Sequence, residues 1–170
     1  MTQSAKEIAE GLAKAIQAET DGYHFYTMAA SSTQDAHGKQ GFLDLAKEEQ
    51  LHAEWLRAQY VSLDEGGTFD LDAEFGAEIH DPQSPIFSES LKARASTAHF
   101  EMTALSVGVQ LEADAQKHYR MMAEMADDED VKELFRKLAE WESGHYHTLL
   151  AQLDDLTVLE GRNFFVLGWG

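Results

Sequence analysis

The chain has 170 residues, no cysteine and a formal net charge of -18 at pH 7; the missing thiols exclude disulfides, zinc-thiolate sites, iron-sulfur clusters and a cysteine nucleophile. The acidity sets the average surface against phosphate backbones, so nucleic acid is not an expected partner. The length fits one domain, residues 1–170, and with no basic-then-apolar leader and no apolar run near the ~18 residues of a membrane span, a soluble cytoplasmic protein without a membrane partner is expected.

Ser4 followed by Glu7 reads as a capping box, and Ile8, Leu12, Ile16, Glu19, Tyr23, Tyr26 and Ala30 then mark one helical face, which predicts a first helix over about 4–32. The polar segment Thr33 to Gly38 breaks it. A second helix over about 38–61 carries Phe42, Leu45, Glu49, His52, Leu56 and Tyr60 along one stripe, and the short turn makes the two antiparallel neighbours. From about 63 to 96 the periodicity fails, punctuated by Gly66, Gly67, Gly76, Pro82 and Pro85. A connection this long has a topological reason here, a crossover along the bundle, with Ser88 to Ser96 as a short helix or lead-in. A third helix over about 97–126 shows Leu105, Val109, Glu112, Tyr119 and Met122 on one face, and Asp127, Asp128 and Asp130 offer caps for a fourth over about 128–154. The tail 161–170, with Phe164, Phe165, Val166, Leu167 and Trp169, is too short to span a membrane and too apolar for water. It is expected to pack on its own bundle or on a partner subunit, and the chain to form at least a homodimer. No period-2 strand pattern and no glycine-rich phosphate loop occurs, so the fold class is all-α, a four-helix bundle with a long crossover between helices 2 and 3.

Sliding the chain on itself by 93 residues aligns Leu12 with Leu105, Glu19 with Glu112, Tyr26 with Tyr119, Phe42 with Phe135, Leu45 with Leu138, Glu49 with Glu142, His52 with His145 and Leu56 with Leu149. Each half therefore carries a glutamate on its first helix and, 30 residues later, a Glu-x-x-His pair whose members share one helical face. Those faces are otherwise apolar, and a carboxylate buried there is costly unless it is paired or binds a metal. Four glutamates and two histidines converging from four helices supply ligands for two metal ions, and a carboxylate-rich set suits iron, with manganese as the alternative, better than structural zinc. Glu49 and Glu142 are placed to bridge, with Glu19 and His52 completing one metal and Glu112 and His145 the other. Tyr26 and Tyr119 lie seven residues beyond Glu19 and Glu112, where a phenol can reach a ligand carboxylate across the bundle or simply fill the core. His24, His37, His80, His99, His118 and His147 have no matched carboxylate in the repeat and read as surface histidines.

With these six positions the chain resembles the ferritin-like di-iron carboxylate proteins, most closely the rubrerythrin family; the ligand pattern is a known signature of that class. The resemblance covers about Ser4 to Tyr60 and Thr97 to Asp154. It implies a non-haem di-iron oxidoreductase that reduces hydrogen peroxide or dioxygen with electrons from a separate donor protein, or else a ferroxidase for iron storage or detoxification. A metal-binding or scaffold bundle without catalysis is the reading from another class. Two features depart from the family: without cysteine the chain has no rubredoxin domain, and Ala115 stands where rubrerythrins carry an additional glutamate.

Overall fold

The computed structural model describes residues 3–66, 68–70, 91 and 98–167, and the side chains of 6–66, 68–70, 91 and 98–159. Four helices make up almost all of it: α1 (Gln3–Ser32), α2 (Ala36–Gly66), α3 (His99–Met125) and α4 (Glu129–Leu167). Their ends follow from local chemistry. Asp35, itself buried, accepts the Gly38 backbone N–H at 2.8 Å, a side-chain cap that starts α2 at Ala36 rather than near residue 38. Asp128 does the same for α4, accepting from the backbone N–H groups of Asp130 at 2.9 Å and Val131 at 3.3 Å.

Three expected boundaries move. Ser4 falls inside the first turn of α1, which begins at Gln3, so it does not precede the helix as a capping residue would. The second helix runs to Gly66 because Leu63, one turn beyond Tyr60, is buried in the core. Likewise α4 continues well past Asp154: Leu149, Leu153 and Leu156 extend its apolar stripe at helical spacing, Leu156 is buried, and no proline intervenes before Leu167. The side chains of the tail from Phe164 to Trp169 lie outside the described residues, as do His80 and the lead-in from Ser88 to Ser96 apart from Leu91, which packs into the core.

α1 packs along α2, and α3 along α4, as two hairpins that meet chiefly through α1 and α3. Contacts between α1 and α3 pair Gly11 with Met122 at one end and Tyr26 with Gly108 at the other, so these helices are antiparallel. Thr33 donates a 2.8 Å hydrogen bond to buried Glu101, tying the start of α3 to the α1–α2 turn. α2 ends beside the opposite end of α1, where Ile8 and Leu63 share one cluster. α2 therefore ends at one end of the bundle and α3 begins at the other. Gln59 secures the first residues after α2 by exchanging 2.9 Å hydrogen bonds with the backbone of Asp70.

The core divides into two apolar clusters. One gathers Tyr26, Phe42, Leu45, Leu105 and Leu149. The other gathers Tyr119, Phe135, Leu138, Leu12 and Leu56, each the 93-residue counterpart of a member of the first. The internal repeat is thus a pseudo-twofold relation in space, and the polar residues of the repeat lie between the clusters.

Candidate metal centre

The layer between the clusters contains Glu19 from α1, Glu49 and His52 from α2, Glu112 from α3, and Glu142 and His145 from α4, all buried. Their placement is dictated by helical periodicity: each lies on the stripe that also carries the core residues of its helix, one or two turns from the nearest leucine. Their donor atoms fall into two overlapping groups of metal-binding size, Glu49, Glu112, Glu142 and His145 in one, and Glu19, His52 and Glu142 in the other. In each histidine Nδ1 faces the carboxylates. His52 Nδ1 lies 3.2 Å from Glu19 and 3.4 Å from Glu142, and His145 Nδ1 lies 3.4 Å from Glu142 and 3.7 Å from Glu112.

The two tyrosines cross between the halves. Tyr26 on α1 donates to Glu112 on α3, and Tyr119 on α3 donates to Glu19 on α1. Burial, reinforced by the negative charge of the adjoining glutamates, raises both phenols well above their ordinary range, so they stay protonated and act as donors. Each phenol fixes one carboxylate oxygen and leaves the other to face the centre of the layer.

The electrostatics are those of a site short of positive charge. Burial, then the neighbouring Glu19 and Glu112, raises the Glu49 carboxyl well above the usual range. Burial also pushes Glu112 up to about 7 against the opposing pull of His145. For His52, burial favours the neutral ring, but the closeness of Glu142 and Glu19 outweighs it and pushes the imidazole up to about 10. His145 is raised in the same way, burial being overcome by Glu112, Glu142 and Glu48. Glu142 alone is lowered: burial opposes its ionisation, and the two imidazoles beside it prevail. The raised groups thus favour their protonated forms in a layer where cations could be held. Both oxygens of Glu142, which is fully buried, and Nδ1 of His145 make no hydrogen bond of acceptable geometry. Buried polar atoms left in that state are rare, and an acceptor-only carboxylate facing an imidazole nitrogen fits a metal ion between them.

Sequence reasoning missed Glu48. It is 1 % exposed and lies 2.5 Å from His145 Nε2, on the side of the ring away from the other carboxylates. Its signal was in the sequence, as the residue beside Glu49, but the repeat has Trp141 at the matching position and so concealed it. His118 also differs from its expected surface role: it is half-buried, with Nε2 3.0 Å from the Gly11 carbonyl. His24, His37, His99 and His147 are exposed.

A cavity of about 330 Å³ between α1 and α3 leads to this layer. Ala15, Ala18, Gly22 and Ala115 line it, Glu19, Glu49 and Glu112 form part of its wall, and it meets the surface at exposed Lys14, Asp21 and Asp114. Gly22 has a specific reason to lack a side chain, since a Cβ there would lie 3.2 Å from the Glu49 carboxyl carbon. No helix among the described residues is long and apolar enough to cross a membrane.

Among known proteins, the family model described as rubrerythrin matches residues 10–153. Neither the curated proteins nor the solved structures yield a match.

Proposed function

The chain belongs to the rubrerythrin family, and from that premise we propose that it is a non-haem di-iron oxidoreductase that reduces hydrogen peroxide, or dioxygen, with electrons from a separate donor protein. The observation that carries the reading is the buried layer of four glutamates and two histidines in which Glu142 and His145 present atoms without hydrogen-bond partners. Glu49 and Glu142 would bridge two metal ions; Glu19 with His52 and Glu112 with His145 would complete one each. Bound iron would supply the electrons and the open positions that an oxidant needs. Tyr26 and Tyr119 hold Glu112 and Glu19 in place through the change of charge, and the raised phenol pKa values keep those hydrogen bonds intact. The cavity beside Gly22 and Ala115 gives a small oxidant a route to Glu19, Glu49 and Glu112. Each peroxide reduced to water takes up two electrons and two protons, so the donor must supply two electrons per turnover, together or one at a time.

A ferroxidase is the second reading, favoured by Ala115 in place of the family's additional glutamate and by the net charge of -18, which concentrates cations near the surface. Stopped-flow mixing of the anaerobic, iron-loaded, reduced protein with each oxidant separates the two. Peroxide should oxidise the centre faster than dioxygen does. Equal or reversed rates would favour the ferroxidase, and a purified protein that retains no iron under anaerobic loading would overturn both.

A further inference from the structure

The pseudo-twofold relation that maps one half of the centre on the other fails at positions 48 and 141, and both lie against the histidines. Glu48 on α2 contacts His145 on α4 through Nε2 at 2.5 Å. Its 93-residue counterpart is Trp141 on α4, half-buried, whose ring centroid lies 5.7 Å from that of His52 on α2 with the planes tilted by 51°. One histidine is therefore backed by a buried carboxylate where the other is backed by an indole. A carboxylate accepting from the outer N–H fixes the tautomer, orients the ring and makes the inner nitrogen a stronger ligand. An indole has only a donor N–H and can do none of this.

A second asymmetry points the same way. Four donor groups, Glu49, Glu112, Glu142 and His145, gather on the Glu48 side, and three, Glu19, His52 and Glu142, on the Trp141 side. With Glu49 and Glu142 shared between the two ions the ligand sets are otherwise matched, and Glu48 adds one buried carboxylate behind the histidine of the side on which Glu49 already gathers.

We propose that the two metal subsites are unequal by construction, the subsite of Glu112 and His145 binding its ion first and more tightly because Glu48 positions His145, and the subsite of Glu19 and His52 holding the more exchangeable ion. The inference rests on the metal-centre reading given above. Glu48 touches no ion in it and is a positioning residue.

Anaerobic titration of the metal-free full-length chain with Co2+, followed by its visible absorption and by equilibrium dialysis, tests it. Two steps are expected, the first about tenfold to a hundredfold tighter than the second, the range over which such supporting residues act. Glu48→Gln keeps an acceptor for the imidazole N–H but removes the charge; it should weaken the first step about tenfold, leave the second nearly unchanged and alter the absorption of the first ion alone. Two indistinguishable steps in the unaltered protein would overturn the inference while leaving the metal reading intact, and that outcome does not depend on any variant folding. A Glu48→Gln protein with the helical circular dichroism of the parent that weakens both steps equally would also overturn it. Failure of the unaltered protein to bind Co2+ at all would remove the metal reading and this inference together.

Discussion

The buried hydroxyls of Tyr26 and Tyr119 are the simplest residues to test, because deleting one removes a donor and little else. In Tyr119→Phe the Glu19 carboxylate loses its restraint, and in Tyr26→Phe the Glu112 carboxylate does. Each change should lower affinity for divalent metal about tenfold, with the two effects close to equal, measured by competition with a chelator. The pH dependence of the metal-free protein follows from the same layer. His52, raised to about 10 by Glu142 and Glu19, contributes stability that is complete below its unfolded value of 6.5 and is lost as the pH climbs through 10. Glu112, raised to about 7, holds in the folded state a proton that the unfolded chain has already released, so it opposes folding increasingly from pH 4.5 to above 7. Glu142 is lowered, and what it contributes is lost only on the acid side, as the pH falls below 4.5. Thermal melts in the presence of chelator should therefore show Tm falling steadily from pH 5 to pH 9. Added Mn2+ should raise Tm more at pH 8 than at pH 5, since the ion displaces those protons. A flat profile without metal would contradict the assignment of protons to this layer.

At the scale of the helices, what was legible was what is periodic. The stripes of α1, α2 and α3 gave their core faces, and Asp128 was read as a candidate cap from its position before an apolar run. The end of α4 was not legible, because Asp154, Asp155 and Gly161 look like a terminus until the burial of Leu156 is known. Nor could periodicity show the Thr33 to Glu101 hydrogen bond, which joins residues on separate hairpins. The two aspartate caps make a graded prediction. Asp128→Ala removes an exposed cap and should cost about 1 kcal/mol in denaturant unfolding. Asp35→Ala should cost more, up to about 2 kcal/mol, because its site is buried and leaves the Gly38 N–H without its partner.

For the molecule as a whole, the buried layer of four glutamates and two histidines was legible because the chain states it twice. The six positions emerged from one self-alignment, and the same method could not see Glu48, where the two statements differ. The association state is the matching prediction at this scale. Residues Phe164, Phe165, Val166, Leu167 and Trp169 put five large apolar side chains in six positions, each gaining ~1.5–3 kcal/mol on full burial. Light scattering should show at least a dimer for the full chain and a monomer for a chain ending at Arg162. A dimer that survives the truncation would place the tail on its own bundle.

The crossed tyrosine bonds carry one more consequence. Each hairpin supplies a phenol for the other hairpin's glutamate, so a chain of half this length, with one first-helix glutamate, one Glu-x-x-His pair and one tyrosine, would be complete only when two copies met about a true twofold axis. Such an assembly of identical halves would be obliged to treat its two metal positions alike, for any residue placed behind one histidine would stand behind both. Joining the halves in a single chain lifts that obligation. Glu48 opposite Trp141 and Gly22 opposite Ala115 are differences that a pair of identical halves could not keep, and they lie beside the buried glutamate and histidine layer, where departing from symmetry changes what each position can hold.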